Sequence, residues 1–90
     1  MIVVRILDEG QFELAETARD DVVARDARLL AALESGDEAA FRGELDALLS
    51  FVRLRGTEVA LDVIKPSEFI LPNADWTTPA IRELLSEHAG

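Results

Sequence analysis

The chain has no cysteine, a single histidine and only five glycines among its 90 residues. Without cysteine it can form neither disulfide bonds nor a thiolate metal site, and it has no thiol nucleophile. The scattered glycines form no phosphate-binding loop, and no serine lies in a glycine-flanked nucleophile elbow. His88 lies two residues from the end of the sequence, where a solvated side chain is the usual state. We therefore expect a non-enzymatic protein with no cofactor.

Positive charge is scarce, because nine Lys and Arg residues stand against 18 Asp and Glu, for a formal net charge of −9. Phosphate binding requires a concentrated basic surface, whereas Arg19, Arg25 and Arg28 alternate with acidic residues in the pattern of a solvated helix face. The same net charge disfavours contact with anionic lipid headgroups. The composition therefore argues against nucleic acid and against direct membrane binding.

Long hydrophobic runs are also missing. The apolar start MIVVRIL is interrupted by Arg5 and followed by Asp8-Glu9, with no basic leader and no cleavage site, so it does not look like a signal peptide. No run approaches the ~20 apolar residues of a transmembrane helix. We expect a soluble, cytoplasmic protein that reaches the inner face of the membrane only through a partner.

Acidic residues occur in adjacent pairs at Asp8-Glu9, Asp20-Asp21 and Asp37-Glu38. Each pair has a structural explanation, as a turn or as the start of a helix, and adjacent side chains point in different directions. None of the pairs has the spacing of a calcium loop or a zinc site. We expect no metal site.

The chain does contain enough apolar sequence, 49%, for one hydrophobic core, and we expect a single domain over residues 1–90. Two apolar or β-branched runs, Ile2–Leu7 and Gln11–Leu14, flank Asp8-Glu9-Gly10, which predicts a β-hairpin. Apolar and polar residues alternate in the second run. One face of that strand should therefore be buried and the other solvated.

An amphipathic helix is predicted to follow the hairpin. Thr17 can cap its first turn, with Asp20 completing a capping box, and the apolar spacing continues to about Glu34. Gly36 fits the left-handed residue that commonly ends a helix.

A second amphipathic helix begins directly after this turn. Asp37 can cap it, with Ser35 as the alternative cap, and apolar residues then recur at 4-3-4 spacing from Phe41. Arg53 and Arg55 suit the negative end of its dipole just before the next glycine. Because the connection is short, the two helices should form an antiparallel hairpin.

The pattern weakens over residues 57–66, which fit an irregular strand or a single helical turn, and we expect mostly loop there. Pro66 and Pro72 then delete backbone donors at both ends of Glu68–Leu71, which is typical of a short edge strand. Its expected neighbour is one of the two strands of the N-terminal hairpin. Thr78 before Pro79 predicts the start of a last helix.

The predicted fold is α+β. A small antiparallel sheet, made of the N-terminal β-hairpin and a short third edge strand, packs on the antiparallel helical hairpin and a C-terminal helix. With no enzymatic motif, a binding or adaptor role is the default class. The edge strand and the loop after it are the first candidate for a protein-interaction site, and the outer face of the helical hairpin is the second. The candidate residues are Glu68, Phe69, Ile70, Leu71 and Trp76, and simple core packing is the alternative role for the four apolar ones.

Four segments together resemble the PspA-associated (PspAA) family of small proteins. They are MIVVRILDEGQFEL, ESGDEAAF, LDALLSFVRLRGT and PSEFILPNADWTTPAIRELL, in this order over nearly the whole chain. The family pattern has a MIVRI-x-x-EGQ start, a GDE-x-x-F turn and a PSD-x-x-LP-x-x-D segment. The chain departs from it at Asp8, where a small residue is common, and at EVALDV, where a proline-containing stretch is usual.

The resemblance implies a companion of phage-shock protein A, a coiled-coil, membrane-remodelling protein of envelope-stress responses, found mostly in actinobacteria and archaea. It implies an adaptor or regulator that acts by protein binding, and it supplies no catalytic residue. A self-associating domain with another protein partner is the alternative. A winged-helix-like nucleic-acid module is a further alternative, although it would require a basic recognition helix.

Overall fold

The structure, a computed structural model, describes residues 1–60, 63 and 65–88. Within these residues the predicted α+β class is confirmed, with a small sheet, a helical hairpin and a C-terminal helix. The side chain of His88 and residues 61, 62 and 64 of the predicted loop lie outside the described part. The elements are β1 (Ile2–Ile6), β2 (Gly10–Leu14), a 3₁₀ turn (Glu16–Ala18), α1 (Arg19–Ser35), α2 (Glu38–Arg55), β3 (Thr57–Glu58), β4 (Phe69–Leu71) and α3 (Thr78–His88).

The sheet has the strand order β3-β2-β1-β4. The predicted hairpin is confirmed, since β1 and β2 pair antiparallel with Ile2 opposite Leu14 and Ile6 opposite Gly10. The predicted edge strand is β4, and its neighbour is β1. A two-residue strand, β3, forms the other edge beside β2, in the region that was expected to be mostly loop.

The sheet is mixed and not wholly antiparallel, because β4 runs parallel to β1. Between β3 and β4, the segment from Lys65 to Ser67, here called the crossing segment, contacts Gln11 on the face of the sheet that is turned away from the helices. After this segment the chain enters β4 at the end of the sheet where β1 begins. A connection that returns the chain to the starting end produces parallel pairing.

The core lies between the other face of the sheet and the helices. Ile2, Val4 and Ile6 are fully buried, as the alternation along β1 requires. They meet the apolar stripes of the two long helices, which alone would be marginal in water and gain their stability from this contact. The remaining members of the core are Phe12, Leu14, Val22, Leu29, Ala32, Leu33, Phe41, Leu45, Leu48, Leu49, Val52, Leu71 and Ile81.

The predicted capping box at the start of the first helix is wrong. Thr17 lies inside the 3₁₀ turn, so that its hydroxyl is one residue too early, and α1 begins after Ala18 with no side-chain cap. The turn between the helices is as predicted. Gly36 has a φ of 77°, and the Asp37 carboxylate accepts the Ala40 N–H at 3.1 Å.

The ends of α2 and α3 are fixed by close contacts. A Cβ atom on Gly56 would lie 2.6 Å from the Val52 carbonyl oxygen and 3.0 Å from the Cβ of Phe12, so only glycine lets the end of α2 approach β2 this closely. At the start of α3, the Thr77 hydroxyl accepts the Ala80 N–H at 3.3 Å. Thr78 is therefore the first helical residue, with the cap supplied by its neighbour.

Candidate functional site

The structure places the five candidate residues on the free edge strand and in the loop after it, but it separates them by face. Phe69 and Leu71 stand opposite Val4 and Ile6, on the side of the sheet that faces the helices. Leu71 is 2% exposed, and Phe69 packs against the core. These two side chains therefore pack in the core, which was the alternative to an interaction role.

Glu68 is exposed, but it is already paired inside the chain. Its carboxylate accepts a hydrogen bond from Arg19 at the start of α1, and Arg19 also binds Glu16. Hydrogen bonds to these two carboxylates raise the pKa of Arg19 and keep it charged. The pairing links the entry of β4 to the entry of α1.

Trp76 is half-buried, and it fixes the loop after β4 to the β1–β2 turn. Its indole Nε1–H donates to the Asp8 carboxylate at 2.8 Å, and the ring packs against the core. Asp8 has a φ of 66°, a left-handed conformation that aspartate tolerates better than most residues. In the same loop, the Asn73 amide donates to the Leu7 carbonyl at 3.1 Å.

Arg42 of α2 holds the other side of this loop. Its guanidinium donates to the carbonyls of Ala74 at 3.1 Å and Trp76 at 2.9 Å, and to the Thr78 hydroxyl at 3.2 Å. Glu38 accepts from Arg42 and from the same hydroxyl. Planar guanidinium donors suit this grouping of carbonyl acceptors. These contacts hold the loop in place. The sequence did not predict them, because Arg42 looks like an ordinary polar residue of an amphipathic helix.

What remains available on β4 is its outer edge, together with Ile70. The Leu7 N–H donates to the Leu71 carbonyl at 3.0 Å, so Leu71 turns its backbone groups toward β1. Backbone groups alternate along a strand, and those of Ile70 therefore point to the free edge. The Ile70 side chain lies half-buried beside Arg5 on the face turned away from the helices.

Gln11 was expected on a solvated face, yet it is only 6% exposed. Its amide Nε2 donates to the Lys65 carbonyl at 2.6 Å and to the Ser67 hydroxyl at 2.8 Å. Beside it, the Lys65 ammonium pairs with Glu13 at 2.6 Å. The crossing segment thus covers this face of the sheet. No local pattern in the sequence predicts this contact.

The second candidate is the outer hairpin face, which is the solvent side of α1 and α2 around Val23, Ala27, Leu30, Ala47 and Leu54. Leu54 is 84% exposed, Val23 50% and Leu30 37%. Both alanines are exposed as well. These exposed apolar side chains distinguish the helical hairpin from the β4 edge, whose apolar side chains are mostly buried.

Most acidic side chains of α1 and α2 are unpaired in the described part of the chain, and two arginines lie near Phe51. Arg25 and Arg55 lie over the ring of Phe51, at 4.8 and 5.8 Å from its centroid, so that Arg25 links α1 to α2. Burial raises the pKa of the Asp26 carboxyl on α1. Several acidic side chains of the two helices form no ion pair among the described residues, namely Asp20, Asp21, Asp26, Glu34, Glu44 and Asp46.

Two kinds of feature are absent from the described residues. In that part of the chain, no group of three or more His, Cys, Asp or Glu side chains is placed to hold a metal ion. None of the helices described is long and apolar enough to cross a membrane.

The sequence model of a family described as PspA-Associated protein matches residues 1–90. No curated protein and no solved structure matches the chain.

Proposed function

Because the chain belongs to the PspA-Associated protein family, we propose that it is a non-enzymatic adaptor or regulator that binds a phage-shock protein A-type coiled coil. Through that partner it takes part in the envelope-stress response at the inner face of the membrane. The observation that carries the proposal is the family match over the whole chain, since the family description itself states an association with PspA. Catalysis is not part of the proposed role.

The surface chemistry supports protein binding. The chain has a formal net charge of −9, which favours a basic or amphipathic partner over a polyanion. Its outer hairpin face exposes large apolar side chains, and β4 leaves one sheet edge open among the described residues. Helix-in-groove binding and strand addition are the two common ways in which such surfaces recognise other proteins.

The test is direct binding to the phage-shock protein A-type coiled coil of the same organism. We expect the two purified proteins to co-elute in size-exclusion chromatography and to give saturable heat in a calorimetric titration at low salt. A coiled coil of unrelated sequence and similar charge serves as the control. Failure to bind at both low and high salt, together with a monomeric state in sedimentation, would remove the proposal.

Self-association is the second candidate, and the free edge of β4 favours it. Two β4 strands could pair edge to edge, which would use the outward backbone groups of Ile70. In that case Ile70→Pro, which deletes one outward donor, converts a dimer to a monomer in sedimentation equilibrium. A wild-type chain that is monomeric at about 100 μM, well above the concentrations at which specific dimers form, would exclude this candidate.

A further inference from the structure

We infer that the solvent side of α1 alone is the docking site for one amphipathic helix of the partner, which carries basic residues beside its apolar seam. The inference rests on the proposed function, and it names the surface and the kind of partner segment. The surface, here called the α1 outer face, consists of the exposed residues Val23, Ala24, Ala27, Leu30 and Ala31.

The first support is that α1 is apolar on two sides. Apart from Arg25, Asp26 and Arg28, every residue from Val22 to Leu33 is apolar. At 3.6 residues per turn, the α1 outer face is centred about 160° round the helix from the buried stripe. A helix that is apolar on both sides is typical of one that is buried on both sides, yet the core covers one side only. The buried stripe consists of Val22, Leu29, Ala32 and Leu33.

The contacts of α1 show that the α1 outer face points away from α2. Arg25 lies over the ring of Phe51 and therefore marks the side of α1 that is turned to α2. The centre of the α1 outer face lies about 160° round the helix from Arg25. Arg19 binds Glu68 and marks the side that is turned to β4, about 80° from the same centre. The face is thus directed into solvent, beyond both neighbours.

The shape of the α1 outer face suits a helix. Val23, Ala27 and Leu30 follow each other at steps of four and three residues, the spacing of a coiled-coil seam. Val23 is 50% exposed and Leu30 37%. Ala24, Ala27 and Ala31 are small, so that a second helix can approach closely beside these two larger side chains. A strand would gain no backbone hydrogen bonds on a helix surface, whereas a helix satisfies its own.

Charge complementarity selects the kind of helix. Asp20 and Glu34 lie at the two ends of the α1 outer face, and neither forms an ion pair among the described residues. At the margins of the face, Arg19 is bound to two carboxylates, and Arg28 lies on the far side from β4. A partner helix with lysine or arginine at both ends of its seam, about 20 Å apart, pairs with both free carboxylates.

A second copy of this chain is a poorer occupant of the same face. Antiparallel packing about Ala27 would set Glu34 of one copy against Asp20 of the other. Parallel packing would set each of these carboxylates against its own equivalent. Like charges at an interface oppose association, and each copy also has a formal net charge of −9. The charges therefore favour a basic helix of another protein.

The experiment blocks the α1 outer face and compares the result with an equal change on α2. Ala27→Arg places a long side chain at the centre of the face, and Ala47→Arg places the same side chain at an exposed position of α2. Arginine is a good helix former, so both variants keep the fold, which circular dichroism verifies. Each variant is titrated calorimetrically with the phage-shock protein A-type coiled coil.

We expect Ala27→Arg to bind at least about tenfold more weakly than the wild type, because its side chain blocks the close approach of a helix. We expect Ala47→Arg to bind within about twofold of the wild type, although it makes the same change in net charge. Equal losses in the two variants would show that the effect is not specific to the α1 outer face, and would overturn the inference.

A second pair of variants tests the basic flank of the partner helix. Asp20→Asn/Glu34→Gln should weaken binding several-fold at low salt and have little effect at high salt. Glu44→Gln/Asp46→Asn removes the same number of charges from α2 and should have a smaller effect at low salt. Equal affinities of the two double variants at low salt would contradict the pairing at Asp20 and Glu34.

The outcomes separate this inference from the proposed function. If the wild type binds the coiled coil and Ala27→Arg binds equally well, the docking site is wrong while the adaptor role stands. If only Ile70→Pro loses binding, the site is the β4 edge. If the coiled coil never binds and Ala27→Arg abolishes self-association, the occupant is a second copy and both proposals fail.

Discussion

At the scale of single residues, the side chains named in the family motifs have structural tasks in this fold. Gln11 of the EGQ triplet binds the segment that crosses the sheet, and Ser67 of the PSE triplet accepts from it. Glu9 pairs with Arg53 at the end of α2. The resemblance to the family thus rests on residues that build the fold, and it leaves the binding surface to be located by exposure and charge.

Removal of the Gln11 amide should loosen the crossing segment. Gln11→Ala leaves the Lys65 carbonyl and the Ser67 hydroxyl without this partner, and we expect the free energy of unfolding to fall by about 1–3 kcal/mol. Ser67→Ala should have a smaller effect, because the Gln11 amide keeps its bond to Lys65. Urea denaturation of both variants measures the difference. Equal losses, or no loss in Gln11→Ala, would contradict the bridging role.

Two carboxyl groups should give opposite dependences of stability on pH. Hydrogen bonds from Arg53 lower the pKa of Glu9 in the folded state, so its stabilisation is present at neutral pH and is lost as the pH falls below about 4. Burial raises the pKa of Asp26, so its charged form destabilises the fold at neutral pH, and protonation relieves this at low pH.

We therefore expect Glu9→Gln to lower the free energy of unfolding at pH 7 by about 0.5–1 kcal/mol, the range of a partly exposed ion pair. Asp26→Asn should raise it at pH 7. Both differences should shrink as the pH is lowered and the wild-type carboxyl groups become protonated. Thermal unfolding of both variants between pH 3 and pH 7 measures these differences. If the two substitutions change the free energy of unfolding at pH 7 in the same direction, the opposite roles of Glu9 and Asp26 are wrong.

At the scale of elements, the strand alternation and the helical hairpin could be predicted, because periodicity and turn chemistry are local. Ile2, Val4 and Ile6 alternate as a buried strand, and Gly36 with Asp37 specifies the turn between helices. The parallel pairing of β4 could not be predicted, since it depends on the path of residues far along the chain. Two-residue β3 carries no periodicity at all.

The start of α1 shows how a predicted helix cap can be wrong by one residue. Thr17 is a residue type that often caps helices, but it lies in the 3₁₀ turn before α1 and does not cap it. Of the two long helices, only α2 has a side-chain cap, which is Asp37. We expect Asp37→Ala to destabilise the fold by about 1 kcal/mol, which lowers the melting temperature by roughly 4–8 °C in a domain of this size. Thr17→Ala should change it by less than about 0.5 kcal/mol. Equal effects would contradict the observed boundaries.

At the scale of the whole molecule, the two candidate surfaces differ in how far their apolar side chains are packed in the core. Phe69, Leu71 and Trp76 pack on the same cluster as α1 and α2, so a partner that captured these side chains would have to open the core. A partner on the outer hairpin face finds its apolar side chains already in solvent. Binding there requires no rearrangement of this chain, which favours the outer face over the side chains of Phe69, Leu71 and Trp76.

A single core also predicts that the molecule unfolds as one unit. Trp76, the only tryptophan, reports on the loop after β4, while far-ultraviolet circular dichroism reports mainly on α1 and α2. Because both pack on one cluster, the two signals should change together in urea, with the same midpoint and slope. Added salt should raise that midpoint, since it screens the self-repulsion of a chain with a net charge of −9. A fluorescence transition at clearly lower urea would mean that the loop after β4 can detach while the helices remain folded. Its side chains would then be open to a partner after all, and the preference for the outer hairpin face would lose its physical basis.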